Sequence, residues 1–135
     1  MSDKPKELNE ALVRGLPDEG PVVMVNLVQF LDEATDGSGS GWEAYVRYSE
    51  PTMGMIKQRG GTVLWAGDVE GAAYGDAGDG WDYVVLVRYP SRAAFLDMVT
   101  SPEYAKANVH REAGVRNHVI LASTETYSKL APAKG

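Results

Sequence analysis

The sequence contains no cysteine and only two histidines, His110 and His118. Without cysteine there is no disulfide, no thiolate nucleophile and no zinc–thiolate centre. With two histidines and no recognisable metal triad, a nonhaem metal site has little to build on. Nothing in the pattern supports haem on His110, so no cofactor is expected. Positive charge is also scarce. Lysine and arginine total 13 against 19 aspartates and glutamates, a net charge of -6. That balance argues against a general nucleic-acid binder, which needs a positive surface to meet phosphates. Long apolar runs are missing as well: none approaches the roughly 20 residues that span a bilayer. The opening MSDKPKELNEALV lacks an apolar centre and does not read as a signal peptide. A soluble, cytoplasmic protein is the expectation.

What is present suits a globule. Of the 135 residues, 44% are hydrophobic and 24% charged, enough for one domain with a core. The clearest stretch is Trp81 to Tyr89, WDYVVLVRY, followed by Pro90-Ser91. It is short and rich in β-branched and aromatic residues, as a strand requires. Tyr83, Val85, Val87 and Tyr89 share one face. Val84 and Leu86 share the other, with Asp82 and Arg88 at the ends. Its middle is apolar on both sides, so both faces should be covered. One helical layer can cover one face, and a second subunit is the economical cover for the other.

The rest of the chain supplies partners for this strand. Glu7 to Arg14 reads as a short helix ended by glycines and prolines. Val22 to Phe30 is a strand in which Asn26 is the polar exception along the row Met24, Asn26, Val28 and Phe30. Leu31 to Gly41 is a Gly-, Ser- and Asp-rich loop, a lid or a mobile segment. Trp42 to Arg59 is helical. Pro51 inside it leaves open a kink or two separate helices. Gly60-Gly61 ends it. Thr62 to Asp68 is a second strand, joined by the loop Glu70 to Gly80 to the third in an antiparallel pair. Ser91 is set to cap a short helix. Ser101-Pro102 opens another, which runs to about Glu112. Val115 to Thr126 holds the last strand, centred on Val119 to Ala122, and Leu130 to Gly135 is a tail.

The resulting order is βαββαβ, the ferredoxin-like order. The fold class is α+β: a four-stranded antiparallel sheet with both helices on one face. The other face would pack against a second copy, giving a homodimer. The domain is placed at 21–127, after a partly helical extension at 1–20 and before a tail at 128–135.

The runs GGTVLWAGDV, WDYVVLVRYPSRAAFLDMVTSPEY and HREAGV, with PVVMVNLVQF and GWEAYVRY ahead of them, resemble the DUF1330 family of the dimeric α/β-barrel superfamily. The likeness covers roughly residues 20–124. It implies a ferredoxin-like subunit, paired into a dimer whose two sheets form a barrel. The family has no established activity. The wider superfamily includes cofactor-free monooxygenases, isomerases, haem-dependent enzymes and noncatalytic members that share a cleft between helices and sheet. None of their catalytic residues maps onto this chain. The pair His110-Arg111 is the strongest polar match to the family.

Chemistry could rest on that pair. Imidazole exchanges protons near neutral pH, and a guanidinium fork holds a carboxylate or enolate-like oxygen. Adjacent helical residues diverge by about 100°, so the two need not face one pocket. His110 could equally form a cap or a subunit contact, and Arg111 an ion pair with Glu103 or Glu112. Asn26, Tyr45, Tyr48 and Arg88 could complete a pocket wall for a small, partly aromatic organic acid or carbonyl compound. The same residues also suit plain core and interface packing. Three readings follow: a cofactor-independent enzyme working by proton transfer, a noncatalytic ligand-binding dimer, or a structural protein.

Overall fold

The computed structural model describes residues 7–76 and 80–130. Most of the expected frayed start, the centre of the Glu70 to Gly80 loop and all but Leu130 of the tail lie outside those residues. The elements run α1 (Glu10–Gly15), β1 (Val22–Phe30), α2 (Gly41–Gln58), β2 (Thr62–Asp68), β3 (Tyr83–Tyr89), α3 (Arg92–Val99), α4 (Pro102–Gly114) and β4 (Val115–Ser123). The four strands form one antiparallel sheet in the order β2-β3-β1-β4. This is the ferredoxin-like arrangement, with α1 added in front.

Capping chemistry sets the helix starts. Asn9 accepts from Leu12 N at the head of α1. Ser40 and Glu43 form a reciprocal capping box at the head of α2. Ser91 caps α3, and Ser101 caps α4 with Pro102 just inside. Of the two possibilities at Pro51, the structure has a single helix, Gly41–Gln58. Gly60 then takes φ +80°, which a side chain would resist. The third strand starts at Tyr83, two residues later than its sequence suggests. Asp82 is occupied instead in closing the strand ends: its carboxylate accepts from Phe30 N, and its own N–H donates to Val28 O.

Strand parity sorts the sheet into two faces. Val22, Met24 and Val28 of β1 and Val87 and Tyr89 of β3 point toward the helices and are buried. There they pack with Met55 and Ile56 of α2, Phe95 and Met98 of α3, and Tyr104 and Ala107 of α4. Fully burying side chains of this kind contributes about 1.5–3 kcal/mol each. The opposite face carries a cross-strand row, Trp65, Leu86, Val25 and Leu121, one residue from each strand. Trp65 is 47% exposed and Leu121 53%.

The Leu31 to Gly41 segment is tied down. Leu31 N donates to Gly114 O, Thr35 N to Ala113 O and Gly41 N to Leu31 O. These bonds hold it to the end of α4, and none of its residues lines either cavity described below. Of the two possibilities its composition left open, a lid or a mobile segment, the segment is not a lid over either of these cavities. Gly41 and Gly114 let the two helix ends meet, because a methyl on Gly41 would strike the carbonyl oxygens of Leu31 and Gly114. Among the described residues, no helix is long and apolar enough to cross a membrane.

Candidate functional site: a buried polar row between two cavities

Two cavities open in the helix layer, and a row of polar side chains separates them. The smaller, of about 290 Å³, lies between α2 and the inner sheet face. Its walls include Trp42, Tyr45 and Tyr83, which with Phe30 form an aromatic cluster with ring centroids 5.2–6.3 Å apart. Trp42, one of these walls, is 44% exposed. The larger cavity, of about 510 Å³, lies between α1, α4 and β4. Met24, Phe95, Val99, Tyr104 and Ile120 line both.

The row begins on α2. The hydroxyls of Tyr48 and Tyr104 are 2.7 Å apart. Tyr104 also bonds the Arg111 side chain, one α-helical face carrying both residues. An Arg111 amino group lies 3.0 Å from His118 Nδ1, and His118 Nε2 lies 2.9 Å from Asn26 Oδ1. The Asn26 amide donates to the carbonyls of Met24 and Val85. All five residues are buried. Five side chains from α2, α4, β4 and β1 thus satisfy one another in an apolar interior, where an unpaired polar group is costly.

Donor logic fixes the protons. Guanidinium only donates, so His118 Nδ1 accepts and Nε2 carries the hydrogen. The Asn26 oxygen receives that hydrogen, and its nitrogen faces the two carbonyls. Burial, and then the Arg111 charge, push the His118 pKa down to about 3. His118 is therefore neutral at physiological pH. Burial raises the pKa of Tyr45, Tyr48 and Tyr104, and the nearby Arg111 charge offsets part of that rise. The tyrosines keep their protons. Two hydroxyl protons serve one Tyr48–Tyr104 bond, so one of them is not used within the pair.

The residues singled out from sequence are dispersed. Asn26, Tyr45 and Tyr48 line the smaller cavity, and Arg111 lines the larger. His110 lines neither; its Nδ1 is buried without a hydrogen-bond partner among the described residues. Next to it on the helix, Arg111 is only 8% exposed and turned inward, so the pair does not share either of these two cavities. Arg88 is also outside both cavities. It pairs with Val23 and Thr62 and shares the parity of Val84 and Leu86, which places it on the outer sheet face. The sequence reading missed His118 and Tyr104. Arg92 was missed too: buried, it donates to the carbonyls of Gly20 and Pro21 and to Thr124, pinning the extension to the domain. Among the described residues no three His, Asp or Glu side chains converge as a metal site would need.

These features define an α+β protein of ferredoxin-like fold with a helix–sheet cleft. The model of the DUF1330 family, a domain of unknown function, matches residues 40–124, and the chain belongs to that family. No curated protein matches it. A crystal structure of a protein of unknown function from Rhodopseudomonas palustris is 32% identical, with a TM-score of 0.81, over 92% of this chain and 98% of that one. A hydroxynitrile lyase from Passiflora edulis is 15% identical, with a TM-score of 0.56, over 81% and 98%. A dimeric protein of unknown function from Bacteroides fragilis is 11% identical, with a TM-score of 0.53, over 79% and 98%. The last two likenesses establish the fold alone.

Proposed function

We propose that this chain binds a small, partly aromatic carbonyl compound in the smaller cavity, as a noncatalytic homodimer. The observation that carries the reading is the Tyr48–Tyr104 hydroxyl pair at 2.7 Å, with one spare proton, beside an aromatic-walled cavity. A ring stacks among Trp42, Tyr45 and Tyr83, and its carbonyl oxygen accepts the spare proton. A neutral oxygen suits the place better than an anion, because the same surroundings hold the tyrosines protonated.

Proton-transfer catalysis has less support. His118 resists a proton through burial and Arg111, and His110 lines neither of the two cavities described. The homodimer rests on the outer row Trp65, Leu86, Val25 and Leu121, an apolar strip that a second sheet would cover. The test is a thermal-shift screen of aromatic aldehydes and ketones, followed by product analysis on each hit. Stabilisation with no conversion is expected. Turnover of a bound compound would contradict the noncatalytic reading.

A further inference from the structure

The buried polar row has a direction, because Arg111 can only donate. Hydrogens leave it along two arms. One arm runs to His118, then to Asn26, and ends on the carbonyls of Met24 and Val85. Each imidazole and amide N–H along it meets an acceptor. The other arm runs to Tyr104 and then, at 2.7 Å, to Tyr48. The Tyr48 hydroxyl has no further hydrogen-bond partner among the described residues. Tyr104 borders both cavities, whereas Tyr48 borders the aromatic one and Arg111 the other. We infer that Arg111, Tyr104 and Tyr48 form a one-way donor relay, in which Tyr48 alone touches the ligand carbonyl and Arg111, out of contact with it, makes the aromatic cavity select electron-rich aryl ketones. The inference rests on the carbonyl reading proposed above.

The direction between the two hydroxyls follows from the guanidinium. The Tyr104 oxygen receives a hydrogen from a cation, which draws electron density from its own O–H. That O–H becomes the stronger donor of the pair, and its oxygen the poorer acceptor of a second hydrogen. Tyr104 therefore donates to Tyr48, and the Tyr48 hydrogen is the one left over. Tyr48 is strengthened in its turn, by about 10–30% for each bond in such a chain. Arg111 needs no freedom for this role. Its Nε donates to Asn108 Oδ1 at 2.6 Å, one amino group meets His118, and Glu112 lies 3.3 Å from the other. These partners hold the charge in place. A strengthened donor discriminates by the basicity of its acceptor, so it favours a carbonyl conjugated with an electron-donating ring. Arg111 is thus a positioning residue that acts through the tyrosines.

The test combines calorimetric titration and infrared spectroscopy on the full chain, with 2-acetylnaphthalene labelled at the carbonyl carbon and 2-ethylnaphthalene as the reference. In wild type the C=O stretch of the bound ketone should lie below that of the same ketone hydrogen-bonded to p-cresol in cyclohexane. This measurement needs no variant. Tyr48→Phe should abolish both the low stretch and the preference for the ketone over the hydrocarbon. Tyr104→Phe keeps the Tyr48 hydroxyl but cuts it off from Arg111. It should retain a preference of about threefold, with a stretch no lower than that of the cresol complex. Wild type should bind 6-methoxy-2-acetylnaphthalene tighter than the 6-cyano compound, and Tyr48→Phe should bind the two equally. The inference is overturned if the wild-type stretch matches the cresol complex, if the methoxy ketone gains nothing over the cyano ketone, or if Tyr48→Phe keeps the ketone preference. In each of those cases a wild-type preference for the ketone leaves the carbonyl reading standing. If wild type binds ketone and hydrocarbon equally, the carbonyl reading fails and the relay with it.

Discussion

Arg111 and His118 face each other at 3.0 Å inside the helix–sheet interface, and burial, reinforced by the arginine's charge, holds the histidine neutral. A positive imidazole there would have to form in an apolar setting against a permanent charge. The pair is therefore a fixed donor–acceptor contact, and His118 passes its own hydrogen to Asn26.

This has a pH consequence. The folded pKa of His118, about 3, lies below its ordinary 6.5, so protons bind the unfolded chain more tightly. The contribution to stability is complete above pH 6.5. It shrinks as the pH falls and is lost by about pH 3, a change of roughly 5 kcal/mol. Denaturant titrations of wild type and His118→Gln across that range should show the extra slope in wild type alone. Ring NMR should show no His118 titration between about pH 5 and 8.

The tyrosine pair makes a second prediction. Tyr48→Phe or Tyr104→Phe leaves a buried hydroxyl short of a partner and should cost about 1–3 kcal/mol. The double variant should cost less than the sum of the two, because the second loss removes the orphan. Equal additivity in a double-mutant cycle would show that the hydroxyls do not interact.

The helix contact gives a third. Gly41→Ala drives a methyl into the backbone oxygens of Leu31 and Gly114, which cannot turn aside. Equilibrium unfolding should show a loss of about 1–3 kcal/mol or more. Gly54→Ala has open space around the new methyl and sits within α2, so it should be neutral or slightly stabilising.

The outer sheet row supplies a fourth. Leu121→Asp and Trp65→Asp place charges on the strip proposed to meet a second copy. Sedimentation should show wild-type dimers and variant monomers, with ligand binding in the smaller cavity kept. A variant that stays dimeric would place the interface elsewhere.

The fold was legible in the sequence because strand parity and cap residues are local. Ser40, Ser91 and Ser101 start their helices, and the parity of Tyr83 to Tyr89 gives both faces of β3. Even the outer position of Arg88 follows from its parity with Leu86. The site was only half legible. Asn26 stood out as a polar residue in an apolar row. His118 did not, because Val119 to Ala122 is apolar throughout and hides the alternation. Only the register, in which Val28 faces His118 and Asn26 faces Ile120, puts His118 on the inner face near Asn26. Tyr104 and Arg111 share one face of α4, but Tyr48 of α2 meets Tyr104 through helix packing, which no spacing in one strand or helix encodes.

In the proposed function the Tyr48–Tyr104 pair reads a carbonyl oxygen in the aromatic cavity. Calorimetric titration with 2-acetylnaphthalene and with 2-ethylnaphthalene, which has the same rings and no carbonyl, tests it most directly. The ketone should bind wild type at least tenfold tighter, the effect of one good hydrogen bond, and Tyr48→Phe/Tyr104→Phe should erase that difference. Equal affinities for the two compounds in wild type, or a preference that survives in the double variant, would contradict the account.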